Sequence, residues 1–413
     1  MISVRNRRLR SSGSKLLLLV FLFACLASCS RKVAPPVIRH PDEPGELPKA
    51  EQQPVIVLEP RIHSIGLILP FYSRGVDPAA VNEEEVRRAD VALEFYQGFK
   101  LAIDSLSRSG GHFQLQVLDA GDDRDALSRI APGVVKDNDL VIGPIFPEGI
   151  RIFSELVSLK DRVIVSPLAA SSPSAFNNPA LVTLNNGIDQ HAAKLAADIH
   201  SRYGNASVNL ILINTRSADD QKFSVPFRTE LERLTKGAIR ITEAVNTQGI
   251  EQRLVRNKTN VVVVASDERK FVRPTVYRLY RLKTAQKYQV DLYGHPNWSR
   301  LDLDAGQLQA LNTRISSSYC VDYGSPAVRK FVARYRAEYW EEPSEYAFKG
   351  FDTGYFFGSL LMDHGRDYVQ NIGSSSYHGL HSDFLFSYDG QYGFRNIHLM
   401  VLQYKGFELK PVP

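Results

Sequence analysis

The chain is 413 residues long, enough for one two-lobed domain or two ordinary ones, and its hydrophobic (44%), aromatic (10%) and charged (23%) fractions are those of a folded globular protein. The formal charge of +5 comes from Arg5, Arg7, Arg8, Arg10 and Lys15, since the chain from residue 29 onward holds 45 basic and 45 acidic residues. That balance removes any case for a nucleic-acid or anionic-surface partner made on net charge.

In chain order, the first element is the apolar run Leu16–Leu26, eleven residues where a membrane-spanning helix needs roughly 20. Basic residues before it and small residues after it predict a secretory signal peptide over 1–28. The stretch Leu26-Ala27-Ser28-Cys29 resembles the bacterial lipobox. The resemblance implies that Cys29 is diacylated and becomes the first mature residue, a thiol being the best nucleophile for that alkylation. Ser30, rather than Asp, then implies sorting to the bacterial outer membrane, facing the periplasm. Residues 29–62 carry seven prolines and mixed charges and read as an extended tether, able to span about 90 Å in polyproline geometry. With Cys25 removed and Cys29 acylated, only Cys320 remains, so no internal disulfide is expected and Cys320 reads as a small buried hydrophobe.

From His63 short apolar runs alternate with helical periodicity. Strands are expected over 64–70, 113–119, 139–144, 162–167 and 180–186. The first helix starts at Asn82, which with Glu85 has the form of a capping box, and Ala92, Phe95, Phe99, Ala102, Ile103 and Leu106 make its apolar face. The helix in "DDRDALSRIAPGVV" is expected to be interrupted at Pro132. A second cycle opens with a helix ending at Gly204 and continues through strands at 208–214, 239–245, 260–266 and 289–294. The runs at 208–214 and 260–266 are almost wholly apolar, as parallel strands covered on both faces are. Two such cycles predict an α/β chain of two doubly wound lobes. After them come a helix capped by Ser325 with Pro326 at its first position, a second aromatic-rich helix, and an alternating segment that turns at Asp389-Gly390.

The order of these elements resembles the type I periplasmic-binding-protein family, the branched-chain amino-acid receptors and their relatives. "EFYQGFKLAIDSL" looks like its first helix, "DLVIGPIFPEG" its third strand and turn, "RVIVSPLAASSP" its fourth strand, and "GFD" (350–352) stands where the family has Gly-Tyr-Asp. The terminal "SYDGQYGFRNIHLMVLQYKG" is similar to its closing hairpin. The resemblance implies three crossings between lobes, near 186, 315 and 378. Lobe one would be 63–186 with 316–377, and lobe two 187–315 with 378–413. It also implies a cleft at the carboxyl ends of the strands, and a hydrogen-bonding role for Asp352 near the hinge.

Candidate ligand contacts lie in the loops after strands: Phe71, Tyr72, Phe146, Ser171 and Ser172 from lobe one, Asp220, His295 and Trp298 from lobe two. In the amino-acid receptors an Ala-Thr after the fourth strand and a Ser pair after the third hold the ligand carboxylate; here Ala170 stands in place of Thr, and Ile145, Phe146 and Pro147 in place of serines. Ser171, Ser172 and Asp220 can equally be turn and cap residues; Phe71 and Tyr72 can wall the cleft or pack on the sheet edge; Trp298 can cover a ligand or face a protein partner. No enzyme is expected: the G-x-S-x-G, H-E-x-x-H and phosphate-loop motifs are missing, and His378 with His381 is too few ligands for a metal. No cofactor is implied. Two functions remain: a lipid-anchored receptor binding a small solute, an amino acid or peptide-like, with an ABC importer as its partner; or an envelope interaction protein regulating a peptidoglycan synthase or other cell-wall machinery. Converging donors and an acid in the cleft would favour the first. A filled or apolar cleft with an exposed aromatic patch would favour the second.

Overall fold

The structure is a computed structural model that describes residues 61–73, 82–204 and 208–412. The signal peptide, Cys29 and nearly all of the tether expected from the sequence lie outside the described residues.

The chain runs β1 (Ile62–Leu69), α1 (Glu83–Arg108), β2 (His112–Asp119), α2 (Arg124–Asp137), β3 (Leu140–Ile142), α3 (Pro147–Leu156), β4 (Ile164–Ser166) and β5 (Leu181–Thr183). It continues α4 (Ile188–Tyr203), β6 (Asn209–Ile213), α5 (Ala218–Thr235), β7 (Ile241–Ala244), β8 (Asn260–Val264), α6 (Arg269–Thr284), β9 (Val290–Tyr293), α7 (Ala305–Ala310) and β10 (Arg314–Ser317). Then come α8 (Pro326–Tyr339), α9 (Glu345–His364), α10 (Tyr368–Asn371), β11 (Ser376–Tyr377), β12 (Phe384–Asp389), β13 (Gly393–Asn396), β14 (Met400–Lys405) and β15 (Glu408–Val412). The strands form two sheets, ordered β11-β12-β13-β5-β4-β3-β1-β2 and β15-β14-β10-β9-β8-β6-β7. Each is parallel through its middle and antiparallel at one edge. Helices cover both faces, which is why the central strands are apolar along their whole length.

Local chemistry sets the helix ends. Asn82 accepts from Glu85 N at 2.8 Å while the Glu85 carboxylate faces Asn82 N, so the capping box forms. Ser325 caps α8 with Pro326 next. The α2 helix runs unbroken through Pro132, forgoing only the bond proline cannot donate.

The chain leaves the first sheet after β5, returns after β10, and leaves again between β13 and β14. The third crossing therefore falls at 397–399, not near 378. Residues 378–396 stay in lobe one: Phe394 pairs with Val182 in parallel, and Phe384, Phe386 and Phe394 pack with Phe356 in the first lobe's core. The turn-rich stretch before β12 reads as a linker, but its turns are held in place by α9. The second crossing follows Ser317, which still pairs with Met400. The terminal segment holds two hairpins, the second turning at Gly406-Phe407, both in the left-handed region that a primed turn requires.

α1 and α9 lie against each other with almost no separation. A Cβ on Gly98 would come within 1.8 Å of the Ala347 carbonyl oxygen, and one on Gly350 within 2.0 Å of that of Phe95. This contact fixes the rotation of α9, and so decides which residues it turns toward the second lobe.

Candidate functional site

Between the lobes lies a cavity of about 440 Å³. Lobe one supplies Leu168 and Ala170 after β4, Asn185 and Asn186 after β5, and Tyr346 and Lys349 from α9. Lobe two supplies Asp219, Lys222, Asp267, His295, Asn297 and Arg300. The floor is the second crossing, Ser316 to Tyr319, with His191 of α4 beside it.

The floor is closely bonded. His191 Nδ1 pairs with Ser316 Oγ at 3.0 Å and its Nε2 with Ser318 Oγ at 3.2 Å. Burial, reinforced by His295, pushes the His191 imidazole down to about 3, so it is neutral at physiological pH. Tyr319 stacks on His381 with centroids 4.1 Å apart. On the rim Arg300 of lobe two reaches Glu345 of lobe one, Nη2 lying 2.9 and 3.2 Å from the two carboxylate oxygens. This ion pair spans the gap between lobes.

Asp352, one turn beyond Lys349 on α9, is wholly buried and accepts from the backbone N–H groups of Leu380 (2.8 Å), His381 (2.9 Å) and Ser382 (2.9 Å) and from the Tyr377 hydroxyl (3.2 Å). Burial pushes its carboxyl up to about 6 even against these four donors. The loop it organises pairs in turn with the crossing strand: Cys320 N donates to the His381 carbonyl at 3.1 Å and Tyr319 bridges Ser382. The hydrogen-bonding role expected of Asp352 is thus seen, acting on the segment that carries the chain between lobes. Gly350 and Asp352 together account for the "GFD" stretch, the one by close helix packing, the other by loop anchoring.

Of the residues singled out in the sequence, His295 faces the cavity. Its Nδ1 accepts from Asn297 N at 3.2 Å, and burial lowers its pKa, against the pull of Asp267 and Asp220. The others do not line the cavity. Phe71 packs on the lobe-one core edge to face with Tyr96. Tyr72, in a turn with φ 53°, and Phe71 both donate their backbone N–H to Asp119 (3.0 and 2.9 Å). Phe146 precedes α3 and lies under the Arg88 guanidinium, 4.8 Å from its ring centre. Ser172 bonds Ser174 at 2.9 Å in a short turn, with Ser171 alongside it; of that loop Leu168 and Ala170 reach the cleft. Asp220 is buried and turned back on its own loop, accepting from Thr215 N (2.9 Å) and Oγ1 (2.7 Å), a turn-stabilising role, while the helix cap itself is Ser217. Trp298 is fully buried in the second lobe's core with Nε1 donating to the Ser266 carbonyl at 2.9 Å, and is neither a ligand cover nor a docking residue. Lys349, Arg300, Glu345 and His191 were not singled out. The available signal was Lys349, a charge set between Phe348 and Gly350 in an otherwise apolar stretch.

Among the described residues no cluster of three or more His, Cys, Asp or Glu side chains is arranged to hold a metal, and no helix is long and apolar enough to cross a membrane.

No protein-family profile matches this chain, and no curated protein matches it in sequence. Solved structures do. A putative branched-chain amino acid ABC transporter protein from Rhodospirillum rubrum aligns over 85% of this chain and 100% of its own, with TM-score 0.62 and 16% identity. The chain has the type I periplasmic-binding-protein fold. An ABC transporter substrate-binding protein from Desulfitobacterium hafniense in complex with Leu gives TM-score 0.53 at 15% identity, over 85% of this chain and 100% of that one. The C-domain of LpoA from Haemophilus influenzae, a regulator of PBP1A, gives 0.55 at 13%, again over 85% and 100%. Both a substrate-binding protein and a regulator of PBP1A therefore share this fold.

Proposed function

We propose that this chain is a non-catalytic binding protein, lipid-anchored through Cys29 at the outer membrane and facing the periplasm, that takes a small amino-acid- or peptide-like solute between its lobes for delivery to an ABC importer. The supporting observation is the cavity itself. At about 440 Å³ it falls within the range of small-molecule sites, and polar groups of both lobes converge on it, including the acid Asp267 and the base Lys349. A cleft of that kind is what closure around a solute requires. The test is a thermal-shift screen of the full chain against amino acids, short peptides and muropeptides. A ligand at about 100 times its dissociation constant adds about 2.7 kcal/mol of stability. The absence of a shift with every compound would overturn the solute reading.

A second reading, an envelope protein that regulates a peptidoglycan synthase or other cell-wall machinery, is supported by Trp340. This residue ends α8 in the left-handed region with 90% of its surface exposed, and Tyr323 elsewhere on lobe one is 65% exposed. Exposed tryptophans are over-represented at protein contacts. Crosslinking in envelope membranes should then recover a synthase with the native chain and lose it in Trp340→Ala.

A further inference from the structure

Lys349 is placed as a ligand group is placed. It is 8% exposed, lines the cavity, and its Nζ lies 3.9 Å from the nearest carboxylate oxygen, that of Glu345, beyond hydrogen-bond reach. Its other close neighbours are the faces of Tyr319 and Tyr346, 5.5 and 5.8 Å away. Glu345 is already engaged by Arg300 at 2.9 Å. Two cations thus share one carboxylate, and among the described residues the Lys349 ammonium has no hydrogen-bonded acceptor of its own. Burial lowers the Lys349 pKa against the pull of Glu345, and Arg300 adds to the lowering. A desolvated ammonium without an acceptor is costly, and a chain that needed only packing there would carry an apolar side chain. Asp352 shows the contrast three residues on, a buried charge with four donors supplied by the fold.

We infer that the solute taken by this cleft carries an acidic group, a carboxylate or phosphate-type oxyanion, held directly against the Lys349 ammonium. The inference rests on the solute-binding reading above and adds the chemistry of the bound group and its seat. That seat lies on the helix at the base of the cleft, not on the loop hydroxyls after β3 and β4.

The test compares matched probes on the full chain by thermal shift and calorimetry: L-leucine, L-glutamate and D-alanyl-D-alanine against their carboxamides, with inorganic phosphate as the arm that separates phosphate from carboxylate. Acids should bind and carboxamides should not. Lys349→Met should weaken acid binding about 30-fold or more, and Lys349→Arg should retain part of it. The unliganded Lys349→Met protein should melt at or above the native temperature, since no native hydrogen bond is lost and a buried charge is removed. Equal binding of acids and carboxamides, unchanged acid affinity in Lys349→Met, or a clear drop in the unliganded melting temperature would each overturn the inference while leaving the cleft as a solute site. Binding of no probe to the native chain would instead overturn the solute reading and this inference together.

Discussion

On the lobe-one side of the cleft the acidic residues beyond β2 are turned inward. Asp119, ending β2, accepts from the backbone of Phe71, Tyr72 and Ser73 and from the Ser73 hydroxyl at 2.6 Å, while Asp122 takes Gly149 N and Arg88, both at 2.9 Å. On the lobe-two side Asp267, Asn297 and Arg300 stay at the cavity wall. The first lobe has tied down its loops after β1 and β2, meets the cavity through those after β4 and β5, and contributes charge from α9; the second brings charged loop residues to the wall. Position after a strand is therefore a partial guide to the cavity wall in either lobe, because a loop carboxylate near free backbone N–H groups, Asp119 in the first lobe or Asp220 in the second, is satisfied locally before it can reach the gap.

The sharpest way to break the comparison is to damage the first lobe alone. Asp352→Asn replaces a carboxylate that accepts four hydrogen bonds with an amide having one acceptor oxygen, and should cost about 3 kcal/mol in urea unfolding. Asp119→Asn, at the more exposed rim, should cost about 1 kcal/mol. Acid titration probes the floor where the lobes meet. The folded state holds the His191 imidazole near 3, below the ordinary 6.5. Below pH 6.5 the unfolded chain takes up a proton that the native one refuses. Stability is full above that pH and falls as pH drops toward 3, by about 1.4 kcal/mol per unit from this group. Unfolding midpoints at pH 6.5 and 5.5 should converge by about that amount in His191→Gln. The smallest effect belongs to the rim. Arg300 is more than half exposed, so Arg300→Ala should change stability by about 0.5 kcal/mol, visible at low salt and gone at high salt.

Much of the fold was legible because its signals are local. Apolar runs such as 260–264 mark strands, Asn82 with Glu85 marks a helix start, and Ser325-Pro326 marks another. The third crossing was misplaced because the turn-rich residues before β12 look like a connection; only Asp352, some thirty residues upstream, shows that they belong to lobe one. Trp298 failed as a surface residue for the same reason, its partner being a backbone carbonyl on another loop. Lys349 could be seen as an oddity in its helix, but its meaning depends on Tyr319 and Glu345 being beside it and Arg300 arriving from the other lobe.

Cys320 sits where these threads meet. Its backbone is tied to the lobe-one loop at His381, while its side chain packs against the lobe-two core, half-buried and unpaired. Burial, with Asp322 adding to it, pushes the thiol up, so the reactive thiolate is scarce at neutral pH. A maleimide should therefore label this sulfur more slowly in the folded chain than in the urea-unfolded one, which makes the sulfur a native reporter of how firmly the second crossing is held.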